Sequence, residues 1–228
     1  MKKLIALLLA AVMMLSLTAC GGPEILGTYE TTVDLTSYVA ESFDEGSELG
    51  GTELSLENYL NNFSITVVCE FREDGTYSQS IDSESLDASI EEMKSAVLVM
   101  MDDLLLKTFA DLYKVYGYTV ETKEDVEALT GMSWDDIFPT TLGMSAEEFL
   151  ATLIDESIAE SFSDTLMAEG KYIAKDGKLH MSMALDEECS EDAYETYEIE
   201  GDTVTVTGGV NIEDNELLDY PYVLTKIA

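Results

Sequence analysis

The chain has 228 residues, of which 47 are acidic and 11 basic, for a formal charge of −36. Nucleic-acid binding needs clustered Lys and Arg to displace counterions; Arg72 is the single arginine and there is no basic patch, so that function class is excluded. Hydrophobic residues make up 46% of the chain, more than a disordered chain carries, so a sizeable core in one or two domains is expected.

Residues 1–19 have the grammar of a secretory signal: Met1-Lys2-Lys3, an apolar run from Leu4 to Leu17, then small residues. The run is too short for a spanning helix, which needs roughly 20 apolar residues. Leu17-Thr18-Ala19-Cys20, followed by Gly21-Gly22-Pro23, resembles the lipobox of bacterial lipoproteins. That resemblance implies a lipid on Cys20 as the mature N-terminus and an extracytoplasmic chain anchored to the outer face of the cell membrane. An ordinary secretory signal with an incidental Cys is the alternative. Residues 20–24 would form a short tether, roughly 15 Å when fully extended. Losing Lys2 and Lys3 leaves nine bases against 47 acids, a charge of −38 spread evenly along the chain. An anionic surface repels such a body, so the lipid is the expected hold and the membrane the expected partner. Crowding so many carboxylates should on average raise their pKa values on folding, so stability should increase toward mildly acidic pH and with salt.

Residues 25–35 are rich in β-formers and predict a first strand. Thr36 or Ser37 could cap a short helix through Phe43, and Ser55 another through Leu60. Phe63, Ile65, Val67, Cys69 and Phe71 alternate with Ser64, Thr66, Glu70 and Arg72, which predicts a half-buried strand. Asp74-Gly75 supplies a tight turn, and Tyr77–Ile81 returns as its partner. From Ser83 the spacing changes: Leu86, Ile90, Met93, Val97, Met101, Leu104 and then Leu105, Phe109, Leu112, Tyr116 predict one long amphipathic helix to Gly117. Thr122 with Asp125 begins a short helix, and Ser133 begins another ended by Pro139. Ser145 to Glu148 is a capping box opening a helix that carries Phe149, Leu150, Leu153, Ile154, Ile158, Phe162 and Leu166, with Gly170 as its stop. Period two then returns: Tyr172–Lys175 and Leu179–Met183 around Asp176-Gly177, Ala193–Glu200 and Thr203–Thr207 around Gly201-Asp202, and Tyr222–Ile227 last.

The expected fold class is therefore α+β: an antiparallel β-meander over residues 25–82 and 169–228, with a helical insertion over 83–168. Consecutive hairpins tend to curl or close to hide their edges. The opening strand Gly27-Thr28-Tyr29, the Phe71 to Tyr77 hairpin, Gly170-Lys171-Tyr172 with Asp176-Gly177-Lys178-Leu179, and Tyr197 to Val206 resemble the lipocalin-like lipoproteins of Gram-positive bacteria. The resemblance implies a lipocalin-like barrel. Trp134, the single tryptophan, falls in the insertion; the opening glycine is followed by Tyr29 where such domains often carry Trp.

Catalytic, metal and cofactor residues are not expected. The single histidine, His180, alternates with Leu179 and Met181 and so falls on the outer face, and no nucleophile elbow, P-loop, zinc motif or calcium loop is present. Asp102-Asp103, Asp135-Asp136 and Asp186-Glu187-Glu188 read as solvated faces. Cys69 and Cys189 could pair in an oxidising exterior, with two unrelated thiols as the alternative. Met93, Met100, Met101, Met181 and Met183 could line an adaptable pocket or simply fill a core. Two readings follow: a non-catalytic module binding a small hydrophobic or lipid-like ligand, or a surface interaction lipoprotein with a filled core and a cell-envelope partner.

Overall fold

The computed structural model describes residues 24–46, 54–154, 162, 166–212 and 220–228. The expected signal, Cys20 and most of the tether lie outside these residues. Eight strands form a closed barrel in sequence order: β1 Gly27–Asp34, β2 Ser64–Phe71, β3 Thr76–Ile81, β4 Ala168–Lys175, β5 Lys178–Met181, β6 Tyr194–Glu200, β7 Thr203–Val210 and β8 Tyr222–Lys226. β8 closes on β1 through Tyr29 opposite Lys226, so the meander has no free edge. Among the described residues five helices accompany it: α1 Thr36–Gly46, α2 Ser83–Lys114, α3 Lys123–Thr130, α4 Trp134–Leu142 and α5 Ala146–Leu153. The α+β barrel is thus present. No helix among the described residues is long and apolar enough to cross a membrane.

Two compact units divide the described chain. One comprises residues 24–31, 68–80 and 168–228; the other 32–67 and 81–167. The helical unit therefore also gathers residues 32–67, rather than only the expected 83–168.

In the strand-rich unit, Tyr29, Phe71, Tyr77 and Tyr172 pack as a block, with Phe71 at 4.9 Å from Tyr172 and 5.9 Å from Tyr29, both edge-on. Such pairs add to the area they bury, and each phenol needs a partner once inside. Tyr172 donates to the carbonyls of Ile25 and Arg72 at 2.9 Å each, and Tyr77 to that of Ser182 at 3.1 Å. Glu24 seals this end by accepting from the Tyr197 hydroxyl and the Asp176 amide.

The turns follow their residues. Asp176 and Gly177 both have positive φ (54° and 71°), as a two-residue hairpin requires, and Gly75 has φ 80°. Gly170 departs from expectation. It lies inside β4 rather than ending a helix, and a Cβ there would collide with the Ser182 carbonyl and come within 2.9 Å of the Tyr77 ring. It is a close-approach glycine.

In the helical unit, Asp82 rather than Ser83 caps α2, accepting from Ser85 N–H at 2.8 Å. The helix buries Leu86, Met93, Ala96, Val97, Met100 and Met101. Ser89 satisfies its buried hydroxyl on the Ser64 carbonyl at 2.7 Å. Thr122 with Asp125 and Ser145 with Glu148 both form complete capping boxes. Pro139 does not end α4. It lies inside the helix, and the Gly143 amide bonds its carbonyl at 2.8 Å, so the chain continues to Leu142. The proline, sixth of the nine residues, gives up one intrahelical donor and leaves the closing bond intact. The segment from Ser55 is a 3-10 turn over Leu56–Asn58. α5 ends at Leu153, and the rest of its expected length lies mostly outside the described residues.

Candidate functional site

The site builds from strand register. Glu195 on β6 stands opposite Leu179 on β5, and Leu179 is 1% exposed. Residues directly opposite share a face, so Glu195 lies on the inner face of the barrel, where it is half-buried. Tyr222 on β8 stands opposite fully buried Val206 on β7 and shares that interior. The Tyr222 hydroxyl lies 2.9 Å from each carboxylate oxygen of Glu195, and Tyr220 donates to one of them at 2.8 Å. Gly209 lies opposite Glu195, and a Cβ on it would sit 2.8 Å from the Tyr220 hydroxyl, so the bare backbone clears that approach. A register shift next to Tyr197 adds a residue to β7 and brings the two glycines abreast of Thr196 and Glu195.

Among the described residues no ion pair reaches this carboxyl; its hydrogen-bond partners are phenols. Burial raises the Glu195 pKa, and the Tyr220 and Tyr222 hydrogen bonds oppose that rise. Tyr222 is itself shifted up, by burial first and then by the charge of Glu195. Cys69 belongs to the same neighbourhood. Burial, then the Glu195 charge, pushes its thiol up to about 12, and Sγ lies 3.8 Å from Gln79 Oε1. Chemically, the set is a neutral thiol, an amide and a carboxyl held by two phenol donors. It can take a proton or a cationic or donor group, and a thiol so shifted is no nucleophile near neutrality.

Other acids behave differently. Asp34, Asp74 and Asp125 are lowered by hydrogen bonds from Thr36, Thr76 and the Glu121 and Thr122 amides; Glu24 is lowered chiefly by Tyr197. In these four carboxyls local donors set the shift, whereas burial makes Glu195 rise. The average rise expected from charge crowding is not what these groups show.

Cys69 and Cys189 are both free thiols here, and Cys189 faces the Lys171 carbonyl at 3.3 Å. His180 is half-buried, with Nδ1 at 2.8 Å from the Ser190 carbonyl, a geometry in which Nδ1 carries the proton and pins the 184–193 loop. Asp102 and Asp103 keep solvent access, as expected, and also hold neighbours: Asp102 accepts from Trp134 Nε1 at 2.9 Å and pairs with Lys123, and Asp103 accepts from Tyr59. Met93, Met100 and Met101 are core, whereas Met183 is largely exposed. A groove of about 670 Å³ between α2 and α5 is lined by Ile90, Leu98, Leu150 and Ile154 with Asp87, Glu91, Lys94 and Glu147. None of the singled-out methionines lines it. Among the described residues no cluster of three or more acids, cysteines or histidines could hold a metal ion.

No protein-family model, curated protein or solved structure matches this chain.

Glu195 carries no motif in the sequence, being one of 47 acids. The available signal is its phase: it shares odd numbering with Tyr197 and Ile199, so alternation puts all three on one face. Gly208-Gly209 in the partner strand is the second.

Proposed function

We propose that this chain is a lipid-anchored, extracytoplasmic lipoprotein with a lipocalin-like barrel, and that it binds a small, mostly apolar ligand without catalysing a reaction on it. The observation that carries this reading is Glu195: a carboxyl turned into a closed barrel and met by two tyrosines. Burying a carboxyl costs stability, and apolar residues fill a barrel without that cost. A ligand bearing an ammonium or other donor group would use it, with its apolar part against the barrel wall. The lipobox-like sequence at Cys20 supports the anchor, and no membrane-crossing helix among the described residues competes with it. The aromatic block of Tyr29, Phe71, Tyr77 and Tyr172 favours the second reading, a filled-core surface lipoprotein.

Thermal shift of the full chain against matched aliphatic amines and carboxylates separates the two. Amines should raise Tm, and Glu195→Gln should abolish that shift while leaving the unliganded protein folded. Equal responses to amines and carboxylates, or none to either, would refute the ligand reading. Because ionised Glu195 attracts the cation, amine binding should weaken as pH falls through its raised pKa.

A further inference from the structure

The chain that follows the lipobox-like sequence is tied down at one end of the barrel. In an up-and-down order of eight strands, the start of β1, the β2–β3, β4–β5 and β6–β7 turns and the finish of β8 fall at the same end, and all belong to the strand-rich unit. Glu24 is fixed there. Its amide donates to the Ala174 carbonyl at 3.1 Å, and its carboxylate accepts from the Tyr197 hydroxyl at 2.5 Å and from the Asp176 amide at 3.2 Å. The Tyr172 hydroxyl holds the next carbonyl, that of Ile25. A short tether separates Glu24 from Cys20, so a lipid on Cys20 lies within roughly 15 Å of this turn end.

The turn end is also a floor. Ile25, Tyr29, Phe71, Tyr172 and Tyr197 lie beside its turns and are each at most 6% exposed. Glu195 stands above them. It precedes Glu200, the last residue of β6, by a stretch of strand that spans about 13 Å along the axis of a barrel whose strands tilt about 40°. Its partner Tyr220 precedes β8 and so comes from the opposite end, where it is 38% exposed. The side of the carboxyl open to a ligand is therefore the side away from the floor.

We infer that the barrel stands with its turn end toward the bilayer and the Glu195 carboxyl toward water, so that the site takes a water-borne amine with a short apolar part rather than a lipid drawn from the membrane beneath. Charge favours the same stance on an anionic membrane. At the turn end Glu24 and the three turns hold six acids against Arg72, Lys175, Lys178 and Lys226, whereas the 184–193 loop at the opposite end holds five acids and no base of its own. The inference rests on the proposed anchor and on the proposed ligand site.

The test uses the full lipidated chain, carrying Cys189→Ser, in vesicles of phosphatidylcholine and phosphatidylglycerol with a nickel-chelating lipid. A nitroxide is placed on Asp202→Cys at the turn end or on Glu191→Cys at the opposite end, both exposed positions. Headgroup nickel should enhance relaxation at 202 at least about threefold more than at 191, because a strand as long as β7 tilted about 40° sets the two ends about 20 Å apart. Equal or reversed enhancement overturns the stance. Hexylamine in the water should raise the Tm of the anchored chain as it raises that of unanchored Cys20→Ser, and Glu195→Gln should remove both shifts. Octadecylamine held in the vesicles should give no Glu195-dependent shift, and such a shift overturns the water-borne source. No hexylamine shift in unanchored Cys20→Ser refutes the ligand reading and takes the ligand's source with it, while nickel still reads the stance. Unmodified Cys20 by mass spectrometry refutes the anchor and overturns the stance with it, while the amine shift of the soluble chain still reads the ligand site.

Discussion

Replacing Tyr222 by Phe removes a hydroxyl that lies 2.9 Å from both oxygens of Glu195 and changes little else in shape. One proton serves one oxygen at a time, so a single bond is lost. A hydrogen bond to a charged group contributes about 1.5–3 kcal/mol, and one between neutral groups about 1 kcal/mol. Tyr222→Phe should therefore cost about 2 kcal/mol well above the raised pKa of Glu195, where the carboxyl is charged, and about 1 kcal/mol well below it, where the carboxyl is protonated. In a chain of this size that is a fall in Tm of about 4–8 °C on the charged side and about half as much on the protonated side. The direction follows from linkage. Burial raises the folded pKa of Glu195 above its unfolded value, so its contribution to stability is fully present below the ordinary glutamate range and is lost as pH rises through the raised value. Removing Tyr222, which opposes that rise, steepens the loss. Glu195→Gln keeps an acceptor and removes the charge, so it should stabilise the protein above the raised pKa and make the cost of Tyr222→Phe independent of pH. Calorimetry of the four chains of this cycle at one pH on each side of that pKa is the assay. An equal loss from Tyr222→Phe at both pH values in the Glu195 background would refute the charge-assisted bond, and no loss at all would refute the site.

Three further outcomes are expected. Gly170→Ala should destabilise by about 3 kcal/mol through overpacking against the Ser182 carbonyl and the Tyr77 ring; an unchanged Tm would mean β4 does not approach them so closely. A thiol reagent should label half-buried Cys189 within the folded protein and reach buried Cys69 only on unfolding, and the reverse order would contradict the placement of Cys69 beside Glu195. Cys20→Ser should lose the lipid label and either leave the membrane or accumulate as an uncleaved precursor; a variant that keeps the label would refute the lipobox reading.

Much of the fold is written in short-range chemistry. Alternation from Phe63 to Phe71 encodes β2, Asp176-Gly177 the β4–β5 hairpin, and Thr122 with Asp125 and Ser145 with Glu148 the starts of α3 and α5, because each depends on atoms within a few residues. Gly170 as a helix stop and Pro139 as a helix end fail for the same reason, although Gly170-Lys171-Tyr172 does lie in a strand as expected. Locally a glycine after a helical run is a stop, and a proline a breaker. The tertiary neighbours Ser182 and Tyr77 make Gly170 a strand residue, and the Gly143 amide carries α4 past Pro139. The closure of β8 on β1 and the reach of Tyr172 to Ile25 join residues far apart in the chain, which no local pattern encodes. The site belongs to that second kind. A carboxylate among 47 is ordinary until the barrel closes around it, because what distinguishes Glu195 is the solvent it has lost and the two phenols that only β8 and the residue preceding Pro221 bring to it.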